Sequence, residues 1–168
     1  MASRLGRTRT RTAAGIVLDT GALIALERGN KRMIALLQRA LAQGRTFRVP
    51  AGVVGQVWRN GRVQVTFKKL ARTTELGAAS RERVSPVLEG RPGPVRALAR
   101  FLRSEEVEIV PLDEQLARSC GELCGAASAS DIIDASVVIV ARERQDVIVT
   151  SDPGDLRRLD PAAQIITL

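Results

Sequence analysis

The stretch Ile16-Val17-Leu18-Asp19-Thr20-Gly21-Ala22-Leu23-Ile24-Ala25-Leu26 is an apolar run with one carboxylate set in its middle. An apolar segment that ends on a charge and passes at once through Thr-Gly into a second apolar segment reads as a buried strand turning into a helix. Asp19 then stands at the C-terminal end of that strand. Open parallel α/β sheets bind ligands in the crevice outside those ends, so this stretch constrains the chain to an α/β fold with a functional edge at Asp19.

The segments that follow alternate in the same way. The helix opened by Ala22 to Leu26 continues at helical spacing through Met33, Ile34, Leu36, Leu37 and Leu41 to Ala42, and Gly44 stops it. Thr46 to Val49, closed by Pro50, predicts a second strand, and Ala51 to Trp58 the helix after it. Val95 to Leu102 reads as a short helix and Glu108 to Pro111 as a third strand. Asp113 predicts the N-cap of a helix through Leu123. Ser128 to Asp131 reads as the capping-box-like start of the apolar helix Ile132 to Arg144. Val147 to Thr150 is a fourth strand, and Gln164 to Leu168 a last one after a helix that Asp155 caps. Strand–helix alternation with right-handed crossovers gives a mainly parallel sheet of about five strands whose C-terminal ends share one edge.

Two segments depart from this rhythm. Residues 1–15 carry Arg4, Arg7, Arg9 and Arg11 without an acid, which predicts a disordered basic tail; an early start codon or a transit-peptide-like segment has the same composition. Within 61–93, Val63, Phe67 and Leu70 share one helical face against Arg62, Lys68, Lys69 and Arg72, and a Pro- and Gly-containing loop runs from Arg81 to Pro94. This reads as a helical and loop insertion, or a clip, in a single domain spanning 16–168.

The chain has no His and no Tyr, which excludes Ser-His-Asp triads, Cys-His pairs, His-ligated zinc and Tyr nucleophiles. Cys120 and Cys124 share a helical face and read as small buried hydrophobes in a reducing compartment. No apolar run reaches the roughly 18–20 residues that cross a bilayer. Chemistry therefore rests on carboxylates, alone or with a hydroxyl, a Lys or a metal-bound water. The net charge of +8 points to a polyanionic partner, nucleic acid first.

Asp19 and Asp152 end two strands, and Asp134 lies in the apolar helix that feeds the second, where an ionised carboxylate needs a cation or strong donors. Three acids at one edge of a basic protein suit Mg²⁺ or Mn²⁺, which take oxygen ligands. The matching chemistry is metal-assisted phosphodiester hydrolysis, in which the ion generates hydroxide and stabilises charge on phosphate.

Together, Ile16-Val17-Leu18-Asp19-Thr20-Gly21-Ala22-Leu23, then Asp134-Ala135 opening an apolar helix, then Val147-Ile148-Val149-Thr150-Ser151-Asp152-Pro153-Gly154-Asp155-Leu156 resemble a PIN domain, especially the VapC-type ribonuclease toxins of bacterial toxin–antitoxin pairs. The resemblance implies a three-layer α/β/α fold and a bacterial cytoplasmic endoribonuclease using Mg²⁺ or Mn²⁺. It also implies a homodimer that cleaves RNA and is inhibited by a small cognate antitoxin. It assigns catalysis and metal binding to Asp19, Asp134 and Asp152. Around them stand Thr20 and Ser151, whose hydroxyls can hold a carboxylate or phosphate, Gln56, which can orient a water or a phosphate, and Asp155. Members usually carry a Glu in the helix after the second strand; Gln56 stands there and supplies no charge, so either one metal binds weakly or Asp131, one helical turn before Asp134, contributes the missing carboxylate.

Two other readings fit less of the chain. A receiver-like aspartyl phosphotransferase wants an Asp two residues after the first, where Gly21 stands, and a Lys after a later strand, whereas the lysines are Lys31, Lys68 and Lys69. A catalytically attenuated module that binds RNA or an antitoxin is the alternative to turnover, with Gln56 as its motive.

Overall fold

Ile16, Val17 and Leu18 expose no surface, as a strand covered on both faces of a parallel sheet requires. In the computed structural model, which describes residues 14–59 and 94–168, they form β1 (Ile16–Leu18) at the centre of a five-stranded sheet. The other strands are β2 (Phe47–Pro50), β3 (Val107–Val110), β4 (Val147–Thr150) and β5 (Ile165–Thr167). Their order is β3-β2-β1-β4-β5, and every neighbouring pair is parallel. The described helices are α1 (Thr20–Glu27), α2 (Lys31–Ala42), α3 (Ala51–Trp58), α4 (Pro94–Phe101), α5 (Glu114–Ala127), α6 (Ile132–Arg144) and α7 (Gly154–Leu159). The expectations for 1–13 and 60–93 lie outside the described residues.

The strand order fixes the layers. From β1 the chain steps outward through β2 to β3, then crosses back over the sheet to β4 and continues to β5. Because parallel crossovers are right-handed, steps in opposite directions put their helices on opposite faces. Accordingly α1 packs with α2, α3 and α4, whereas α6 packs with α5 and α7. The direction of travel reverses between β1 and β4, the topological switch point at which open α/β sheets bind ligands.

The core fills both faces. Met33, Leu37 and Ala40, at i, i+4 and i+7 of α2, are buried, and Phe47 meets Phe101 edge to face at 5.3 Å. α6 buries the whole run Ala135 to Ala141, which explains why that segment is apolar all round. No single described helix is long and apolar enough to cross a membrane. Cys120 and Cys124 are buried free thiols, and desolvation pushes Cys120 up to about 11, so they fill space as the sequence suggests.

The elements differ from expectation at two places. The helix read as continuous from Ala22 to Ala42 is two helices, α1 and α2. Gly29 adopts φ +70°, the left-handed region that glycine enters at little cost, and Asn30 caps α2 by accepting from the amides of Arg32 (2.9 Å) and Met33 (3.1 Å). Ser128 does not open α6. α5 runs on to Ala127, Ser128 ends it at φ 51°, and Asp131 is the N-cap of α6.

At the N-terminal end of the sheet a buried ion-pair cluster ties four segments together. Asp146 accepts from the Gly15 amide at 2.6 Å and pairs with Arg48, whose Nε also pairs with Glu108 at 2.9 Å. A Cβ on Gly15 would lie 2.7–2.8 Å from the Asp146 carboxylate, so the chain enters β1 here only as glycine.

Candidate functional site

Asp19 follows the last residue of β1 and is the N-cap of α1. Its Oδ1 accepts from the Ala22 amide at 2.6 Å and its Oδ2 from the Thr150 hydroxyl at 2.5 Å. At 8% exposure the carboxylate is buried. Burial pushes its pKa up, Thr150 and the amides of Ala22 and Gly21 pull it down, and Asp152 adds repulsion, leaving it above the ordinary value.

Asp134 lies one turn into α6, half-buried, and accepts no hydrogen bond from a described residue. Its carboxyl is pushed up to about 6, first by burial and then by repulsion from Asp131, Asp19, Asp155 and Asp152. This coupling brings the five sequence-predicted acids into one neighbourhood. Asp131 caps α6, accepting from Ile133 (2.8 Å) and Asp134 (3.2 Å) amides. Asp152 follows β4 by two residues, and its Oδ1 accepts from the Gly154 amide at 3.2 Å.

Asp155 does not cap the last helix. It sits in the first turn of α7, behind a Pro153 cap position with no side-chain bond, and pairs loosely with Arg158 at 3.6 Å. The capping contact belongs to Asp152, because Pro153 can neither donate nor accept through its side chain.

The hydroxyl and amide residues divide into two groups. Thr20 donates to Gln56 Oε1, so Gln56 reaches from α3 to the residue beside Asp19. Ser151 is exposed and packs over Gly21, where a Cβ would overlap its Oγ and lie 3.2 Å from its backbone nitrogen. Glycine at 21 thus lets the loop after β4 close on Asp19.

Sequence reasoning missed Thr150. This fully buried residue donates to Asp19 and accepts from the Asp152 amide at 2.9 Å, joining the Asp19 carboxylate to the backbone of Asp152 through one oxygen. Nothing in Val147-Ile148-Val149-Thr150 separates it from an ordinary β-former. Arg158 was missed as well: a cleft of about 290 Å³ is lined by Ser128, Ser130, Asp131, Asp134, Asp155 and Arg158, together with Ala129 and Leu159.

The donor chemistry fits a hard divalent cation. The donors are all oxygen, Asp134 accepts no hydrogen bond from a described residue, and both Asp19 and Asp134 are raised, first by burial and then by neighbouring acids, a condition that a cation would relieve. As the side chains stand, no group of three His, Cys, Asp or Glu among the described residues is arranged to hold an ion.

The sequence matches the PIN domain family over residues 16–161. No curated protein matches. Solved structures similar in fold include VapBC2 from Rickettsia felis bound to a DNA fragment from their promoter, with TM-score 0.56 and 16% identity, covering 91% of this chain and 98% of that one. A toxin–antitoxin complex from Klebsiella pneumoniae gives TM-score 0.53 and 14% identity, covering 91% and 97%. FitAcB from Neisseria gonorrhoeae gives 0.52 and 17%, covering 90% and 96%.

Proposed function

Since the chain belongs to the PIN-domain family, we propose that it is a Mg²⁺- or Mn²⁺-dependent endoribonuclease, the toxin of a type II toxin–antitoxin pair. The observation that carries the reading is the placing of Asp19 and Asp152 after two neighbouring strands at the switch point of the sheet, with Asp134 raised by burial and then by repulsion from the acids around it. The similarity in fold to a chain of a toxin–antitoxin complex from Klebsiella pneumoniae supports an antitoxin partner. RNA as substrate accords with the net charge of +8. A homodimer in the bacterial cytoplasm completes the reading.

Asp19, Asp134 and Asp152 would hold the ion, with Asp131 in reach. The cation, when bound, supplies an activated water and positive charge for the phosphate. The protein's own part is positioning. Thr150 and the Ala22 amide fix both oxygens of Asp19, so that carboxylate is set before a ligand arrives. Thr20 orients Gln56 beside it, and Ser151 and Asp155 border the entrance.

The test is purified protein against total RNA with Mg²⁺, Mn²⁺ or chelator. Cleavage is expected with either metal and is lost in Asp19→Asn, which keeps the Oδ1 cap on Ala22 and hence the fold. Cleavage by a folded Asp19→Asn protein equal to that of the wild type would sink the reading. A second reading, an attenuated module that binds RNA or an antitoxin, is favoured by Gln56, which reaches the site without charge. It wins if binding persists and no cleavage appears even in Gln56→Glu.

A further inference from the structure

We propose that Arg158, with the hydroxyls of Ser128 and Ser130, forms a phosphate-binding subsite beside the acid cluster that takes the phosphodiester adjacent to the one cut. This rests on the ribonuclease reading of the acids and adds where the RNA strand lies. The cleft is lined by three carboxylates, Asp131, Asp134 and Asp155, and among its lining residues Arg158 carries the positive charge. A polyanionic strand brings one negative charge per nucleotide into a cleft that is already acidic, and a bound cation offsets that only where it sits. The strand therefore needs a second cationic contact, and a guanidinium matches two phosphate oxygens at once.

Arg158 is free to make that contact. Its pair with Asp155 is 3.6 Å long, and the two side chains are 65% and 68% exposed. Such a surface pair contributes about 0–1 kcal/mol and is readily exchanged. Ser128 is presented by the left-handed end of α5, Ser130 follows it, and neither hydroxyl is engaged by a described residue. The loop between α5 and α6 and the last turn of α7 thus bring one guanidinium and two unspent hydroxyls to one cleft. Arg157, adjacent in sequence and also exposed, does not line it.

The two arginines make the experiment self-controlled. Binding of a fluorescein-labelled single-stranded RNA 12-mer of mixed sequence would be followed by anisotropy, with Ca²⁺ holding the carboxylates, across a salt series. Arg158→Ala is expected to weaken binding about fivefold and make the log-affinity against log-salt slope shallower by about 0.7, the loss of one phosphate contact. Arg157→Ala should change both far less. Should Arg158→Ala unfold, Arg158→Gln takes its place. Equal losses in the two variants, no loss in either, or no RNA binding by the wild type overturns the subsite. Mn²⁺-dependent cleavage is assayed separately. Its absence in the wild type, with the loss specific to Arg158 retained, overturns the nuclease reading and leaves the subsite standing.

Discussion

Asp134 holds a proton to about pH 6 although an aspartate ordinarily releases it near 3.8, because it is partly desolvated and faces four other acids. Between about pH 4 and 6 the folded chain thus binds more protons than the unfolded one, so stability falls as pH rises through that window. In chelator, the melting temperature of the wild type is expected to drop across it, and Asp134→Asn to show a flatter profile; parallel profiles would refute the assigned cause. Thr150→Val keeps shape but removes the donor to buried Asp19, at an expected cost of about 1–3 kcal/mol by urea denaturation and with a matching loss of cleavage. The places of Asp19 and Asp134 were legible in the sequence because each is a charge in an apolar run, and that of Asp152 because it follows a clear strand. Thr150, the Thr20–Gln56 bond and Arg158 were not, because their roles arise only where distant elements meet. Thr150 and Asp19 are 131 residues apart.

The elements themselves were largely legible, since strands buried on both faces and the apolar α6 leave strong patterns. Errors fell at junctions, where two local signals compete. Periodicity ran unbroken from Ala22 to Leu41 because α1 and α2 both bury residues in one core, and it outweighed the Gly29-Asn30 break that the sequence also carries. Asn30→Ala should cost about 1 kcal/mol through the lost cap, and Gly29→Ala about as much through left-handed strain, each read from a chemical denaturation midpoint. Gly21→Ala acts differently: the new Cβ overlaps the Ser151 Oγ and crowds its backbone nitrogen at 3.2 Å, so that side chain must turn and the loop after β4 shift slightly beside Asp19. Cleavage should fall by about tenfold or more while the unfolding midpoint moves little, the pattern of a misplaced group remote from the core.

For the whole molecule, the two ends of the sheet carry opposite roles. The C-terminal edge gathers repelling acids that weaken the fold, and the N-terminal end is pinned by Arg48 and Asp146, whose side chains are 15% and 2% exposed. Removing Asp146 leaves the Gly15 amide without its acceptor and the mostly buried Arg48 to the half-exposed Glu108, so Asp146→Ala should cost about 1–3 kcal/mol in urea denaturation. That lock was invisible in the sequence: Arg48 looks like a solvated residue in a short strand, and its partner lies 98 residues away. The same strand order has a consequence in time. The middle strand is made first and its β4 neighbour nearly last, so during synthesis Asp19 exists long before Thr150 and Asp152 emerge to complete its surroundings. The carboxylate made first thus gains its buried hydroxyl partner only once β4 has paired with β1.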